Sequence, residues 1–373
     1  MSLAELQKLK NHSFEVHFIR PTSEIVAHSL MIRVCRNCPW GRCKFCDCYL
    51  YGKFECKSIE EVKHDIDEIK AISDEIQSLE KRVGGMDWVA RVISCDFLYE
   101  KHPSELKRDE LENFRSIINV FDWLSSGART VFLQDGDSLQ MPNPNLIEII
   151  KYLKKTFPSI ERITSYARAD TLANTKTIEE LKELHKAGLF RLHVGFESGD
   201  DEVLEYIDKG VTSEGQILAG KKTKESGIQI SEYFMPGIAG RDRSEKHAIN
   251  SARVLNEINP NFIMMRPYVP QKNTVFFDEY MKGEFQLTSP HERLKELKLF
   301  FKDLNVTSRV CFDQPAFNTW YRDRGRSIPL FRLDYMGYKF PEEKEKVLKL
   351  IDLGLSIDES IHIHAKDRIG KPY

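Results

Sequence analysis

The chain has 373 residues, 41% hydrophobic and 30% charged, which is ordinary for a water-soluble globular protein with a substantial core. Its formal net charge of -2 excludes a global positive field that would draw it onto nucleic acid, although local basic patches can still do so. With no long apolar run and no secretion-type start, we expect no membrane span and a cytoplasmic location, where clustered cysteines hold metal more often than they form disulfides.

The first predicted elements flank a cysteine-rich loop. Leu30–Val34 is an apolar run that predicts a strand, and Ser58–Glu61 is a capping box that opens a helix with apolar residues at helical spacing. Between them, the 22 residues Cys35–Cys56 contain six of the chain's eight cysteines. Residues 83–128 include a second helical pattern and are too long for a loop, so we expect an inserted segment there.

A regular alternation of strands and helices follows. Strands are predicted at Thr130–Gln134, Arg162–Tyr166, Phe190–Phe196, Ile228–Phe234 and Phe262–Arg266. Together with the first strand, these make six strands separated by helices, which predicts an α/β fold with a parallel sheet, as an open barrel or a doubly wound sheet. Ligands bind at the carboxyl ends of such strands, where the cysteine loop also lies. The last hundred residues are not expected to continue the alternation.

Three cysteines of the loop have the spacing of a cluster ligand set. Cys38, Cys43 and Cys46 form a C-x4-C-x2-C pattern, which can bind three irons of one cubane and leave the fourth iron open. Three alternatives are a zinc site formed by the pairs Cys35/Cys38 and Cys43/Cys46, a ferredoxin-like carrier with Cys48 as fourth ligand, and reduced structural thiols. Cys35, Cys48 and Cys56 otherwise form a second cluster or are spare thiols.

The stretch NCPWGRCKFCDCY, with Phe45 just before the last ligand, resembles the radical S-adenosylmethionine (SAM) superfamily. The usual family spacing is C-x3-C-x2-C, so this chain resembles a variant subgroup whose substrate is uncharacterised. Over residues 30–270 the resemblance implies a partial (β/α)6 barrel that carries a [4Fe–4S] cluster and SAM. In the family, the open iron chelates SAM, and one electron cleaves it to a 5′-deoxyadenosyl radical.

The resemblance also implies cofactor contacts at the strand ends. Phe45 would lie near the adenine, and the Asp135-Gly136-Asp137 turn would hold the SAM amino group. Ser165 and Arg168 would contact the ribose or carboxylate, Glu197 and Lys209 would approach SAM as in the branch that contains oxygen-independent coproporphyrinogen oxidases, and Gly237 would let the backbone approach the adenine. Strand alternation places His193, Gly195 and Glu197 on one face, so His193 is a candidate substrate residue. The alternative interpretations are a simple strand-to-helix turn at Asp135–Asp137, a surface salt bridge for Arg168 and a solvated lysine for Lys209.

Three function classes remain open from the sequence. The first is hydrogen abstraction from a small molecule, cofactor precursor or lipid; the second is modification of RNA or a protein; the third is a non-catalytic iron–sulfur or zinc-binding protein. Nucleic acid has support only from two short basic stretches, Arg322–Arg326 and Lys366–Lys371. The family also implies a one-electron donor such as ferredoxin or flavodoxin.

The domain organisation is predicted from the same pattern. Residues 1–29 are an N-terminal extension, and residues 30–270 are the core, with the insertion at 83–128. Residues 271–373 form a C-terminal extension that we expect to supply substrate contacts or a lid, since variable segments carry specificity on such scaffolds.

Overall fold

The computed structural model describes residues 8–17, 19–49, 52–98, 105–313 and 318–369, and the side chains of 95–98 lie outside that description. The chain divides into two compact units. The first comprises Met1–Arg36, Phe54–Tyr166 and Glu183–Phe190, and the second comprises Asn37–Lys53, Ala167–Lys182 and Arg191–Tyr373. Among the helices described, none is long and apolar enough to cross a membrane.

The first unit combines helices with short strands. The helices are α1 (Thr22–Val26), α2 (Ile59–Val83), α3 (Met86–Leu98), α4 (Arg108–Ser125) and α5 (Asn143–Thr156), and the strands are β1 (Leu30–Arg33), β2 (Cys35–Arg36), β3 (Glu55–Cys56), β4 (Thr130–Gln134) and β5 (Arg162–Ala167). A 3₁₀ turn spans Ser138–Gln140. Strands β1, β4 and β5 run parallel in that order, with Leu30 opposite Val131 and Val131 opposite Ile163.

Helix α2 follows the sequence prediction closely. Ser58 and Glu61 form the capping box, and Gly84 ends the helix at a φ of +88°, a conformation that glycine adopts without strain. Ile66, Ile69, Ile72 and Ile76 are fully buried on one face of the helix, together with Asp65, which pairs with Lys57. The other charged residues of the helix are exposed or partly exposed. Helices α3 and α4 occupy the predicted 83–128 segment and belong to the same unit as α2.

The second unit contains most of the remaining elements. They are α6 (Ala169–Asn174), α8 (Asp201–Tyr206), α9 (Ser213–Glu225), β7 (Gln229–Phe234), α10 (Ser244–Ile258), β8 (Phe262–Met265), α11 (Val275–Lys282), α12 (Pro290–Asp303), β9 (Arg309–Cys311), β10 (Trp320–Asp323), β11 (Arg326–Pro329), β12 (Tyr338–Lys339) and α13 (Lys344–Ser356), with 3₁₀ turns at Glu359–Ile361 and Ala365–Arg368. Helix α7 (Ile178–Ala187) and strand β6 (Leu189–Glu197) have residues in both units.

Strands β6, β7, β8 and β9 run parallel in the second unit, and β12 pairs antiparallel with β9. The prediction that the alternation stops after the sixth strand is therefore wrong. Strand β9 continues it after α11 and α12, with Arg309 opposite Phe262. With three residues, β9 is too short to show a period of its own, which is why the sequence pattern missed it.

Helices α10 and α12 cover the outer face of these strands. Their apolar residues pack with Phe234 and Ile263 into one buried cluster, in which the Phe234 and Phe300 rings stack at 4.3 Å. At about 25 cal/mol per Å² of buried apolar surface, such a cluster supplies much of the driving force for folding. The six predicted strands are confirmed, with ends that differ by one residue at most, and helices lie between them as expected.

Candidate functional site

The cysteine loop lies in the second unit and is tied at its base. Asn37 adopts a left-handed φ of +68°, and its Nδ2 donates a hydrogen bond of 2.8 Å to the Lys53 carbonyl. Gly52 makes this possible, because a Cβ there would lie 2.1 Å from the Asn37 side-chain oxygen. Gly41 also has a positive φ, as expected for a tight turn within the loop.

The middle of the loop is anchored by backbone hydrogen bonds to two helices. The Lys44 N–H donates to the Ile207 carbonyl at 3.0 Å, and the Phe276 N–H donates to the Lys44 carbonyl at 3.1 Å. The Lys44 ammonium group pairs with Glu279 at 3.1 Å. Phe45 packs against an apolar cluster that includes Ile207 and Phe276, so the loop is held firmly where its cysteines are presented.

Cys43 and Cys46 are joined by a turn in which the Cys46 N–H donates to the Cys43 carbonyl at 3.1 Å. Burial raises the pKa of the Cys43 thiol to about 11, against the opposing pull of Lys209 and Arg168. A hydrogen bond with Cys48 lowers the pKa of Cys46 to about 7, which favours its thiolate. Cys38, Cys43 and Cys46 are all half-buried, so their sulfur atoms are accessible to a ligand.

A cubane and a single metal ion make different demands on the cysteine loop. In the described part of the chain, no three His, Cys, Asp or Glu side chains are grouped closely enough to share one metal ion. A cubane does not need such a group, because its three protein ligands bind three different irons. Lys209 and Arg168, whose charges reach Cys43, supply the positive surroundings that an anionic cluster requires.

Glu197 and Lys209 form a buried ion pair beside this loop. Their charged atoms are 2.9 Å apart, and both side chains are at most one-tenth exposed. Burial, the largest single influence, opposes the charge on Lys209, but Glu197 and Cys43 together outweigh it, and the net effect is a raised pKa for the lysine. Gly195 makes room for the pair, because a Cβ there would lie 2.4 Å from the Glu197 carboxylate.

The predicted alternation of β6 is interrupted where this pair forms. The register against β7 shifts between Gly195 and Glu197, and Glu197 has a left-handed φ of +57°. This bulge directs the carboxylate back over Gly195 toward Lys209. Simple strand alternation is therefore the wrong reason for grouping Glu197 with Gly195, although their proximity was predicted.

Arg168 joins the group through backbone and ring contacts. Its guanidinium donates to the Lys209 carbonyl at 2.8 Å and lies 5.2 Å from the centre of the Trp40 ring. The Trp40 indole N–H donates to the Asp208 carbonyl at 2.6 Å, and Gly210, with a φ of +71°, lies under the indole. Sequence reasoning missed Trp40, since its only signal was its place within the cysteine loop.

The Gly237 turn is fixed by helix α12. The Gly237 N–H donates a 2.7 Å hydrogen bond to Glu296, which also accepts a bond from Ser244. Burial raises the pKa of Glu296 to about 7. Gly237 has a φ of +82°, and a Cβ would crowd Thr288 at 3.0 Å and Arg293 at 3.3 Å. The turn thus has a defined shape, and Glu296 and Arg293, which sequence reasoning missed, set it.

His193 is buried on β6, and its ring lies 6.1 Å from that of Tyr233. The Tyr233 hydroxyl is 3.5 Å from Nδ1, a long contact. These contacts place His193 against the neighbouring strand β7. Its proposed role toward substrate stays a prediction.

The remaining predicted residues lie in the first unit. The Asp135 carboxylate accepts a 2.8 Å hydrogen bond from Arg33 and lies 3.1 Å from the His17 ring. Ser165 donates to the Leu133 carbonyl at 3.1 Å and so links β4 and β5. Gly136 and the buried Asp137 continue the turn after β4.

Cys35 and Cys56 form a pair of their own in the first unit. They are directly opposite in the antiparallel β2–β3 ladder, with their sulfur atoms 3.0 Å apart. The hydrogen bond with Cys56 is the largest cause of the raised pKa of Cys35, and burial raises this pKa further. Cys48 differs, since it lies next to Cys46 in the second unit.

Comparison with known families identifies the class. A family model described as the radical SAM superfamily matches residues 95–252, so this part of the chain contains a radical SAM domain. The predicted fold class, a mostly parallel α/β sheet of the radical SAM type, is thereby confirmed, and so is the assignment of the chain as an enzyme. Its cofactors are those of the superfamily, a [4Fe–4S] cluster and SAM. The match begins after the cysteine loop, so the ligand roles of Cys38, Cys43 and Cys46 remain predictions.

Curated relatives match parts of the chain. A tRNA uridine(34) acetyltransferase of Methanocaldococcus jannaschii is 26% identical over 143 residues, which are 37% of this chain and 26% of the relative. The heme chaperone HemW of Bacillus subtilis is 23% identical over 171 residues, 45% of this chain and 44% of the relative. The chain therefore spans less than half the length of either relative.

Solved structures show distant likeness. The archaeal Elp3 of Methanocaldococcus infernus, with an N-terminal deletion, has a TM-score of 0.44 at 16% identity, covering 63% of this chain and 57% of that one. Methylornithine synthase (PylB) has a TM-score of 0.42 at 16% identity, covering 83% of this chain and 68% of that one. Likeness at these scores carries no argument about residues or substrate.

Proposed function

We propose that Cys38, Cys43 and Cys46 hold the [4Fe–4S] cluster and that the enzyme uses SAM to abstract hydrogen from its substrate. When bound, the cluster and SAM supply one electron and the 5′-deoxyadenosyl radical that removes the hydrogen atom. The observation that carries the proposal is the grouping of two loop thiols with Arg168, Glu197 and Lys209, in which positive charge reaches Cys43.

The protein's own residues prepare this site by charge and position. Lys209 keeps its proton because Glu197 stabilises it, so a cation stands ready beside the loop for an anionic cluster or the SAM carboxylate. The partner carboxylate fixes the lysine so that little reorganisation is needed when a ligand binds. Arg168 contacts Trp40 and the Lys209 carbonyl, and these contacts fix its guanidinium group beside the same ion pair.

The turn residues have proposed roles toward SAM. Gly237 would bring the backbone close to the adenine, with its shape set by Glu296. Asp135, Gly136, Asp137 and Ser165 would contact the amino group and the ribose, as the family resemblance implies. Since the Asp135 carboxylate is already engaged by Arg33, backbone groups of this turn are the better donors and acceptors for a ligand.

We propose an RNA substrate ahead of the small molecule, cofactor precursor or lipid that composition alone favours. The support is that two tRNA uridine(34) acetyltransferases match the chain at 26% and 25% identity. Each match covers 37% of this chain. The reaction requires a one-electron donor, and ferredoxin or flavodoxin in the cytoplasm would serve. Residues 271–373 would supply substrate contacts.

Iron analysis of cysteine variants tests the ligand assignment. Wild-type protein purified without oxygen should hold about four irons per chain, and alanine at Cys38, Cys43 or Cys46 should remove most of them. Alanine at Cys35, Cys48 or Cys56 is the matched control and should keep the iron. Loss of iron in the Cys48 variant would indicate a four-ligand carrier, and zinc in place of iron would contradict the proposal.

Deuterium transfer tests the substrate class. An unmodified tRNA transcript made from deuterated nucleotides should pass deuterium into 5′-deoxyadenosine if RNA is the hydrogen donor. Deuterium transfer from a deuterated small-molecule extract, and none from the transcript, would instead indicate that the substrate is a small molecule, a cofactor precursor or a lipid. The same reconstituted enzyme serves for both.

A further inference from the structure

The first basic stretch of the sequence, Arg322–Arg326, forms a hairpin in the second unit, whereas the second stretch ends outside the described residues. Strands β10 and β11 form an antiparallel hairpin, with Trp320 opposite Pro329 and Asp323 opposite Arg326. Tyr321 bridges to His362, and the Ile363 N–H donates to the Trp320 carbonyl at 2.9 Å. The segment that contains the 3₁₀ turn Ala365–Arg368 therefore continues past the base of the hairpin, on the side away from its tip.

The hairpin has an inner and an outer face. Tyr321 packs against the apolar core, and its ring lies 6.3 Å from the His362 ring. The face of the hairpin that carries Tyr321 is therefore the inner face. Side chains alternate along a strand, and Arg322 therefore lies on the opposite, outward face, across from Ser327. Arg322, Arg324 and Arg326 are all exposed to solvent.

The tip of the hairpin presents an arginine in an unusual conformation. Arg324 has a φ of +47° and Gly325 a φ of +79°, the pair of left-handed residues that a tight two-residue hairpin turn requires. Asparagine or aspartate is the common first residue of such a turn, because a longer side chain is strained there. The sequence instead places a guanidinium group at the most exposed point.

The charges on this surface are unbalanced. The hairpin carries three exposed arginines against one carboxylate, that of Asp323, which stands opposite Arg326. None of the three arginines forms an ion pair with another residue that the structure describes. A chain with a net charge of -2 thus carries a local surplus of positive charge.

We propose that this arginine hairpin, defined as Trp320–Pro329, binds the phosphodiester backbone of an RNA substrate. The inference rests on the proposed RNA substrate and adds the surface that would hold it. Guanidinium groups match phosphate oxygens in a two-bond geometry, and a hairpin anchored to the core presents them without a large ordering cost. Contacts of this kind position a nucleic acid without reading its sequence.

Fluorescence anisotropy with a labelled, unmodified tRNA transcript tests the proposal on the full-length reconstituted enzyme. The variant Arg322→Gln, Arg324→Gln, Arg326→Gln should weaken binding at least about tenfold near 0.15 M salt. It should also reduce the slope of log affinity against log salt by roughly two to three, because each phosphate contact contributes about 0.7 to 0.9. Replacing the three arginines with lysine keeps the charge and should retain most of the salt slope.

The matched control removes three exposed charges elsewhere, as Lys151→Gln, Lys155→Gln, Lys182→Gln, and should bind like wild type. Equal losses in both glutamine variants, or none in the hairpin variant, would overturn the surface assignment alone. A wild-type enzyme that binds no RNA would overturn the RNA substrate and the surface together. Binding of poly-glutamate as tightly as RNA would assign the surface to acidic proteins instead.

A second readout separates this inference from the radical chemistry. SAM cleavage by dithionite in the absence of RNA should be the same in the hairpin variant and in wild type, because the hairpin residues touch none of the site contacts described above. If cleavage fails in every form of the enzyme, the proposed function is wrong. If cleavage persists and only RNA binding changes, the hairpin acts on the substrate.

Discussion

The Glu197 carboxylate lies 2.9 Å from the Lys209 ammonium group, and the pair is buried beside Cys43. Taking two charges out of water is costly, and their attraction repays this only when both partners are present. The pair therefore ties the end of β6 to the chain that follows α8, and it holds a cation where the cluster is expected.

Removing one partner of this pair should destabilise the fold. We expect Glu197→Gln to lower the free energy of unfolding by roughly 3–5 kcal/mol, since it leaves Lys209 charged and buried. The double variant Glu197→Gln, Lys209→Met should lose less than the two single changes combined. Urea unfolding of the cluster-free protein, performed without oxygen, measures this.

An exposed ion pair provides the control. Lys246 and Glu202 lie 3.2 Å apart with about two-thirds of each side chain exposed. Glu202→Gln should cost no more than about 1 kcal/mol. Similar costs for Glu197→Gln and Glu202→Gln would contradict the importance given to the buried pair.

Gly210 should tolerate no side chain. Its φ is +71°, and a Cβ would lie 2.4 Å from the Trp40 ring. Gly210→Ala should therefore lower stability and change tryptophan fluorescence, because the indole must move away from Arg168. Gly283→Ala is the matched control, with a similar φ of +78° and open space around it, and should cost only the backbone strain of about 1–2 kcal/mol. Equal effects at both glycines would show that the indole contact is unimportant.

Glu232 should make stability depend on pH. Burial raises the pKa of its carboxyl to about 8 from an ordinary 4.5, with Glu197 adding to the rise and Lys209 opposing it. The folded state then binds more protons than the unfolded state between these values, so this contribution to stability is full below pH 4.5 and is lost as the pH rises through about 8.

Glu232→Gln stays neutral and should remove that loss, which we expect to amount to a few kcal/mol. Urea unfolding of wild type and variant at several pH values measures the difference. Glu205→Gln, an exposed change, should keep the wild-type pH profile. A wild-type profile that runs parallel to that of the Glu232 variant would refute the prediction.

Cys35 and Cys56 should form a disulfide under mild oxidation of the cluster-free protein. Oxidised glutathione would first form a mixed disulfide on the half-buried Cys56, and Cys35 would then displace a second reduced glutathione. Peptide mapping should find Cys35 linked to Cys56 as the main product. In the Cys35→Ser variant, Cys56 should instead keep its glutathione. A main product that links Cys46 to Cys48 would contradict the predicted order of reactivity.

Much of the fold was predictable because it repeats a simple pattern. Helix α2 has its capping box, apolar period and terminal glycine in the sequence, and the structure shows all three. The first six parallel strands are apolar runs of four to nine residues between clear helix signals. Strand β9 has only three residues and follows two helices, so local pattern did not indicate it.

The site was predictable where a residue is conspicuous in type and not where it acts through geometry. Three closely spaced cysteines indicate metal binding from the sequence alone. Trp40, by contrast, matters because Gly210 and Arg168 contact it from distant parts of the chain. Glu296 fixes the Gly237 turn from a helix about sixty residues away, which no local pattern shows. The bulge at Glu197 likewise depends on the pairing of β6 with β7.

The formation of 5′-deoxyadenosine tests the central claim most directly. Reconstituted enzyme given SAM and dithionite without oxygen should produce 5′-deoxyadenosine and methionine in equal amounts. Alanine at Cys43 should abolish both products, while alanine at Cys35 should leave both unchanged. Wild-type enzyme that holds a reducible [4Fe–4S] cluster and yet forms neither product would contradict the account.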